Sequence, residues 1–83
     1  LKVTFTRHAR EKFELLSAFD LIITQDQVID AIMKPGIVEK RGTQTFSMKV
    51  MDDDLALRVV HEERKDIIVV ITFYPVERKR YGL

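Results

Sequence analysis

His8 and His61 are the only imidazoles in this 83-residue chain, and Tyr74 and Tyr81 are the only phenols. An imidazole in the first turn of a helix can take a proton from a hydroxyl such as that of ribose, so His8 is a candidate general base; the plainer alternative is an exposed histidine without a role. Arg58 lies three residues before His61 on a stretch that alternates like a β-strand. Side chains along a strand alternate between its faces, so Arg58 and His61 point to opposite sides and do not serve one site. An arginine flanked by Leu57, Val59 and Val60 needs a reason to be there: its planar fork fits a phosphate, or it pairs with Glu62 or Glu39. Further on, Tyr74, Arg78, Lys79, Arg80 and Tyr81 interleave rings with cations. That pattern suits single-stranded RNA, whose bases stack on rings and whose phosphates meet guanidinium groups. The alternative is a Tyr74 that completes the core and a basic tail that only keeps the chain in solution.

The net charge of +1 is unevenly spread. Residues 1 to 12 hold Lys2, Arg7, Arg10 and Lys12 against Glu11, and residues 75 to 83 hold Arg78, Lys79 and Arg80 against Glu77, which leaves the middle acidic. If the fold joins the two ends, Arg7, Lys12, Lys79 and Arg80 add to one cationic patch for an anionic partner. Asp52, Asp54 and Glu63 fall at the first, third and twelfth positions of an EF-hand loop, but Leu57 stands where that loop needs glycine and the stretch alternates like a strand. The reading is an acidic hairpin tip, with no metal. No P-loop, dinucleotide-binding glycine fingerprint, nucleophile elbow or HExxH motif occurs, so no cofactor is expected and nucleotide-dependent, serine-hydrolase and zinc-protease chemistries are disfavoured.

These groups need elements to position them. Lys2 to Phe5 alternates as a short strand, and Thr6 can cap a helix running from Arg7 to about Phe19, whose apolar stripe is Ala9, Phe13 and Leu16 with Leu15 and Phe19. Thr24 to Gln27 has the form of a capping box, and the helix it opens buries Val28, Ile29, Ile32 and Met33 before Pro35 and Gly36 end it. The period then becomes twofold. Strands are predicted over Ile37 to Arg41, Thr45 to Met51, Leu55 to Glu63 and Ile67 to Tyr74, the last stopped by Pro75. Connections as short as Gly42-Thr43, Asp52 to Asp54 and Arg64-Lys65 make them antiparallel neighbours. With a turn at Arg64-Lys65, His61 shares a face with Val59, Ile68, Val70 and, carrying the alternation on, Tyr74, while Arg58 shares one with Val60, Val69 and Ile71. Ile67 to Ile71 is apolar at every position, so this strand is central and needs a cover on both faces. Two helices cover one; the tail from Val76 to Leu83, a second copy or a partner covers the other.

At 46% apolar and 33% charged residues the chain is a single globular domain spanning 1–83. A domain this short buries only about 60% of its unfolded surface, so its stability margin is thin and a homodimer or partner interface would help. The lack of cysteine excludes a disulfide framework and fits the reducing cytoplasm. The longest apolar run is too short to cross a bilayer, and no secretory leader is expected.

A strand, Phe5-Thr6-Arg7-His8-Ala9 at the start of the first helix, a second helix ending in Lys34-Pro35, then Leu57-Arg58-Val59-Val60, Ile71-Thr72-Phe73-Tyr74-Pro75 and Arg78-Lys79-Arg80-Tyr81 follow in order. Over nearly the whole chain this resembles the prokaryotic family known as domain of unknown function 4258, grouped with the RelE-like ribonuclease toxins. The chain departs from the pattern at His61, where a tyrosine is usual, and at Phe19-Asp20, where an arginine-glycine pair is usual. The resemblance implies an α+β fold of β-α-α-β-β-β-β order, two helices against a four-stranded antiparallel meander. It implies a toxin that cleaves RNA, free or on a ribosome, without a metal, and that a cognate antitoxin neutralises. In that chemistry the 2′-hydroxyl attacks the adjacent phosphate; His8 would be base or acid, Arg58 and Arg78 a clamp on the developing charge, and Tyr81 or Tyr74 a stacking or proton-donating group. A non-catalytic RNA- or protein-binding module of the same fold is the alternative.

Overall fold

In the computed structural model, which describes residues 2–83, two helices lie against one face of a five-stranded sheet. β1 (Lys2–Phe5) leads into α1 (Arg7–Ser17) and α2 (Gln25–Met33). β2 (Ile37–Arg41), β3 (Gln44–Val50), β4 (Leu55–Arg64) and β5 (Ile67–Glu77) follow as an antiparallel meander, and a 3-10 helix spans Arg78–Tyr81. The α+β class and the element order agree with the sequence reading, but the sheet has five strands where four were expected. β1 joins it as an edge strand parallel to β5, with Lys2 to Phe5 opposite Ile67 to Val70, giving the order β1-β5-β4-β3-β2. Parallel pairing needs a long crossover, which here is everything between β1 and β5.

Both helices start on a threonine. Thr6 Oγ1 accepts from the Ala9 N–H and donates to the Ile71 carbonyl, so the cap also ties α1 to β5. Thr24 and Gln27 form the reciprocal capping box, each side chain accepting from the other's backbone N–H. α1 is shorter than its apolar pattern predicts. The chain tightens after Ser17, Asp20 takes a left-handed φ of 61°, and Phe19 is left 76% exposed instead of joining the stripe. Leu15 and Met33 are exposed as well, and Ala31 takes the buried place in α2 that was assigned to Met33.

The core between helices and sheet consists of Ala9, Ile23, Val28, Ala31, Leu57, Val59, Val70 and Phe73. Its arrangement depends on an irregularity in β5. The β4–β5 turn is Lys65-Asp66, one residue later than expected, and from Arg64 opposite Ile67 the register runs regularly to His61 opposite Val70. Val60 then pairs with Thr72, so Ile71 is an extra residue, a β-bulge. Beyond a bulge the inside and outside of a strand exchange. Phe73 therefore enters the core, and Tyr74, expected on the His61 face, pairs with Arg58 on the opposite one. Pro75 does not stop the strand, which runs to Glu77. β1 accompanies β5 only as far as Val70, so past that point β5 has an open edge where proline's missing N–H is tolerated.

The helix-free face is partly covered by the chain itself. The Arg78 N–H donates to the Asp54 carbonyl, Arg78 Nε donates to the Leu83 backbone oxygen and Nη1 to the Asp52 carbonyl, and Gly82 closes the turn with a left-handed φ of 71°. This folds Leu83 back onto the start of β2, where a Cβ on Gly36 would stand 3.0 Å from its side chain.

On the helix-covered face, His61 Nε2 and Ser47 Oγ share a 2.8 Å hydrogen bond between adjacent strands, and both residues are buried. Burial pushes the His61 imidazole below its ordinary value of 6.5, against the pull of the Glu63 charge. The unfolded chain therefore takes up this proton first as pH falls. The stability that His61 contributes is complete above pH 6.5 and is lost on the way down through its lowered folded value. Thermal unfolding is thus expected to show a lower Tm at pH 5.5 than at pH 7.5, and His61→Gln, which keeps a partner for Ser47 but does not titrate, should flatten that dependence. An unchanged slope in the variant would assign the pH dependence to other groups.

Candidate functional site

Four elements bring side chains to the helix-free face around Arg58. β4 is regular here, so Arg58 projects opposite to Leu57 and Val59, and cross-strand pairing sets Met48 on one side of it and Tyr74 on the other. The guanidinium lies 4.7 Å from the Phe46 ring centroid, 5.4 Å from that of Tyr81 and 5.9 Å from that of Tyr74. Arg58 Nη1 donates to the Tyr81 hydroxyl at 3.1 Å, while Nε is buried without a hydrogen-bond partner. A charge held among rings keeps its attraction for an anion because little water screens it.

α1 runs past the open edge of β5 and adds two groups. His8 Nε2 is 3.2 Å from Thr72 Oγ1, and Lys12 Nζ is 5.9 Å from the Tyr74 centroid. Thr72 pairs with Val60 and Tyr74 with Arg58, so His8, Lys12 and Arg58 border one patch. It holds an exposed imidazole, two cations and two phenols, a set able to move a proton and stabilise charge on a phosphate.

The remaining candidates lie elsewhere. Arg78, expected beside Arg58 in the clamp, spends its guanidinium on the backbone oxygens of Leu83 and Asp52. Arg7 is exposed and paired with Glu11 at 3.1 Å. Lys79 and Arg80 are exposed on the 3-10 helix, and among the described residues no hydrogen bond joins them to His8, Arg58 or Tyr81. The two basic ends of the sequence are thus linked only through strand residues between them, Lys12 lying over Tyr74 and Tyr81 bonding to Arg58. Phe46 and Thr72 belong to the site and were not foreseen, because their only sequence signal is an outward place on a strand whose neighbours are set by register.

The acidic tip is accounted for by local bonding. Asp52 Oδ1 accepts from the N–H groups of Asp54 and Leu55, both at 2.8 Å, and these bonds hold its carboxyl below the usual range. Among the described residues no group of three or more His, Asp or Glu side chains is arranged to hold a metal ion, and no helix is long and apolar enough to cross a membrane. No protein-family model, curated protein or solved structure matches the chain.

Proposed function

We propose that this chain is a metal-independent endoribonuclease, the toxin of a toxin–antitoxin pair acting in the prokaryotic cytoplasm. The observation that supports it is the convergence on one face of His8, fixed near Thr72, and Arg58, bonded to Tyr81. His8 takes the proton of the 2′-hydroxyl, whose oxygen then attacks the adjacent phosphorus; the 5′-oxygen leaves, giving a 2′,3′-cyclic phosphate and a free 5′-hydroxyl. Arg58, with Lys12 nearby, offsets the charge that builds on the phosphorane oxygens. The Tyr81 hydroxyl accepts from Arg58 and so keeps its own hydrogen free to donate to a phosphate oxygen or to the leaving group. Every positive charge in this scheme is a side chain, so it works in a chelator. The resemblance described above supplies the antitoxin as partner.

Incubating the purified protein with an unstructured RNA in EDTA tests the reading. Wild type should leave 2′,3′-cyclic phosphate ends. His8→Ala should lose about 10²-fold or more of the rate, as a missing proton acceptor does. Arg78→Ala should keep the rate per folded molecule, since that guanidinium serves the backbone. No cleavage by wild type, or equal cleavage by His8→Ala, sinks the proposal.

A further inference from the structure

Cations and rings alternate without a break across the helix-free face. Lys12 Nζ lies 5.9 Å from the Tyr74 ring, and Tyr74 is 5.9 Å from the Arg58 guanidinium. Arg58 is in turn 4.7 Å from the Phe46 ring, and Phe46 is 5.1 Å from the Arg41 guanidinium. We infer that single-stranded RNA crosses the sheet along this row, and that Phe46 and Arg41 form a nucleotide subsite on the far side of Arg58 from His8. The inference rests on reading this face as RNA-binding and adds to it a direction, a length and two residues.

The row runs from α1 over β5, β4 and β3 to the last residue of β2, so it cuts across the strands. Four strands about 4.8 Å apart span roughly 14 Å. With a base on the Tyr74 ring, one on the Arg58 plane and one on the Phe46 ring, that takes about three nucleotides. A sheet face carrying rings on neighbouring strands is a known kind of platform for bases, which all have flat faces, while the interspersed cations meet the phosphates between them. An acidic peptide would need the cations but not the regular rings between them. Phe46 is half-buried, as a stacking platform fixed by its strand should be. The Arg41 side chain is 64% exposed and its ion pair with Glu39, at 3.1 Å, lies on the surface, so it can turn to a phosphate at little cost.

The test separates length from chemistry. Binding of fluorescent 2′-O-methyl oligonucleotides, which cannot be cleaved through the 2′-oxygen, is measured with two and with six nucleotides. Phe46→Ala should bind the hexamer about tenfold more weakly, the loss of one stacked base, and the dinucleotide as wild type does. Phe46→Leu, which keeps an apolar side chain on the strand, should behave like Phe46→Ala. Arg41→Gln should weaken the hexamer and reduce the salt dependence of its binding by about one phosphate contact. If wild type cleaves RNA but both Phe46 variants bind the hexamer unchanged, the subsite is wrong and the nuclease reading stands. If wild type binds no oligonucleotide, or binds an acidic hexapeptide more tightly than the hexamer, this inference falls with the RNA-binding reading.

Discussion

Replacing Arg58 with methionine is expected to lower the proposed RNA cleavage by about 10² to 10³-fold while moving Tm by less than about 8 °C. The activity loss is that of removing a preorganised charge from a developing oxyanion, typically about 2.7–4 kcal/mol. The small stability effect follows from opposing contributions. Arg58 Nε is buried without a partner, which costs about 1–3 kcal/mol. Its guanidinium lies near three rings, each such contact worth about 0.5–1 kcal/mol, and donates one hydrogen bond to Tyr81. Methionine replaces the stem about as far as Nε, needs no hydrogen bond and packs well on aromatic edges. The residual imbalance of about 1 kcal/mol corresponds to roughly 4–8 °C in a domain of this size. Arg58→Lys separates charge from shape: it keeps the cation but loses the planar fork, and should recover only part of the rate. A large drop in Tm for Arg58→Met with cleavage retained would make Arg58 a fold-stabilising residue and remove it from the site.

What was legible in the sequence follows how local each cause is. The capping box of α2 needs only Thr24 and Gln27, four residues of chain, and it forms as read. The opposition of Arg58 and His61 needs only an unbroken β4, and their surroundings differ accordingly: rings and Tyr81 around the one, Ser47 around the other. The face of Tyr74 was not legible. Ile67 to Ile71 is apolar at every position, so it carries no alternation from which a phase can be read, and nothing marks Ile71 as the extra residue. Phe19 fits the apolar spacing of α1, but spacing does not reveal that the helix closes at Ser17. Arg78 looks like part of a basic cluster by composition, and its bonds are to backbone oxygens at Asp52 and Leu83, one of them distant in sequence. The site is thus readable in its residue types, while its membership is decided by one bulge and one folded-back tail.

The same bulge fixes the second large effect, on stability. Phe73→Ala is expected to cost about 3–5 kcal/mol, whereas Tyr74→Ala, one residue on, should cost about 1 kcal/mol or less. Phe73 is fully buried opposite Val59, with its ring 4.5 Å from that of Phe13, which itself meets Phe5 edge-on at 5.7 Å. Truncation removes the fully buried end of this stack and leaves a cavity between α1 and the sheet that the rigid strands on either side cannot close. A domain of this length has roughly 4–12 kcal/mol of stability in all, so the variant would be close to unfolding at 37 °C. Tyr74 is half-buried on the other face, where its loss opens onto solvent instead of a closed core. Urea midpoints of the two variants measure the difference directly. A regular β5 would put Phe73 beside Arg58 and Tyr74 in the core, and the order of the two costs would reverse. Finding Tyr74→Ala the more damaging would therefore overturn the bulge, and with it the placement of Tyr74 between Lys12 and Arg58 on which the proposed RNA-binding face depends.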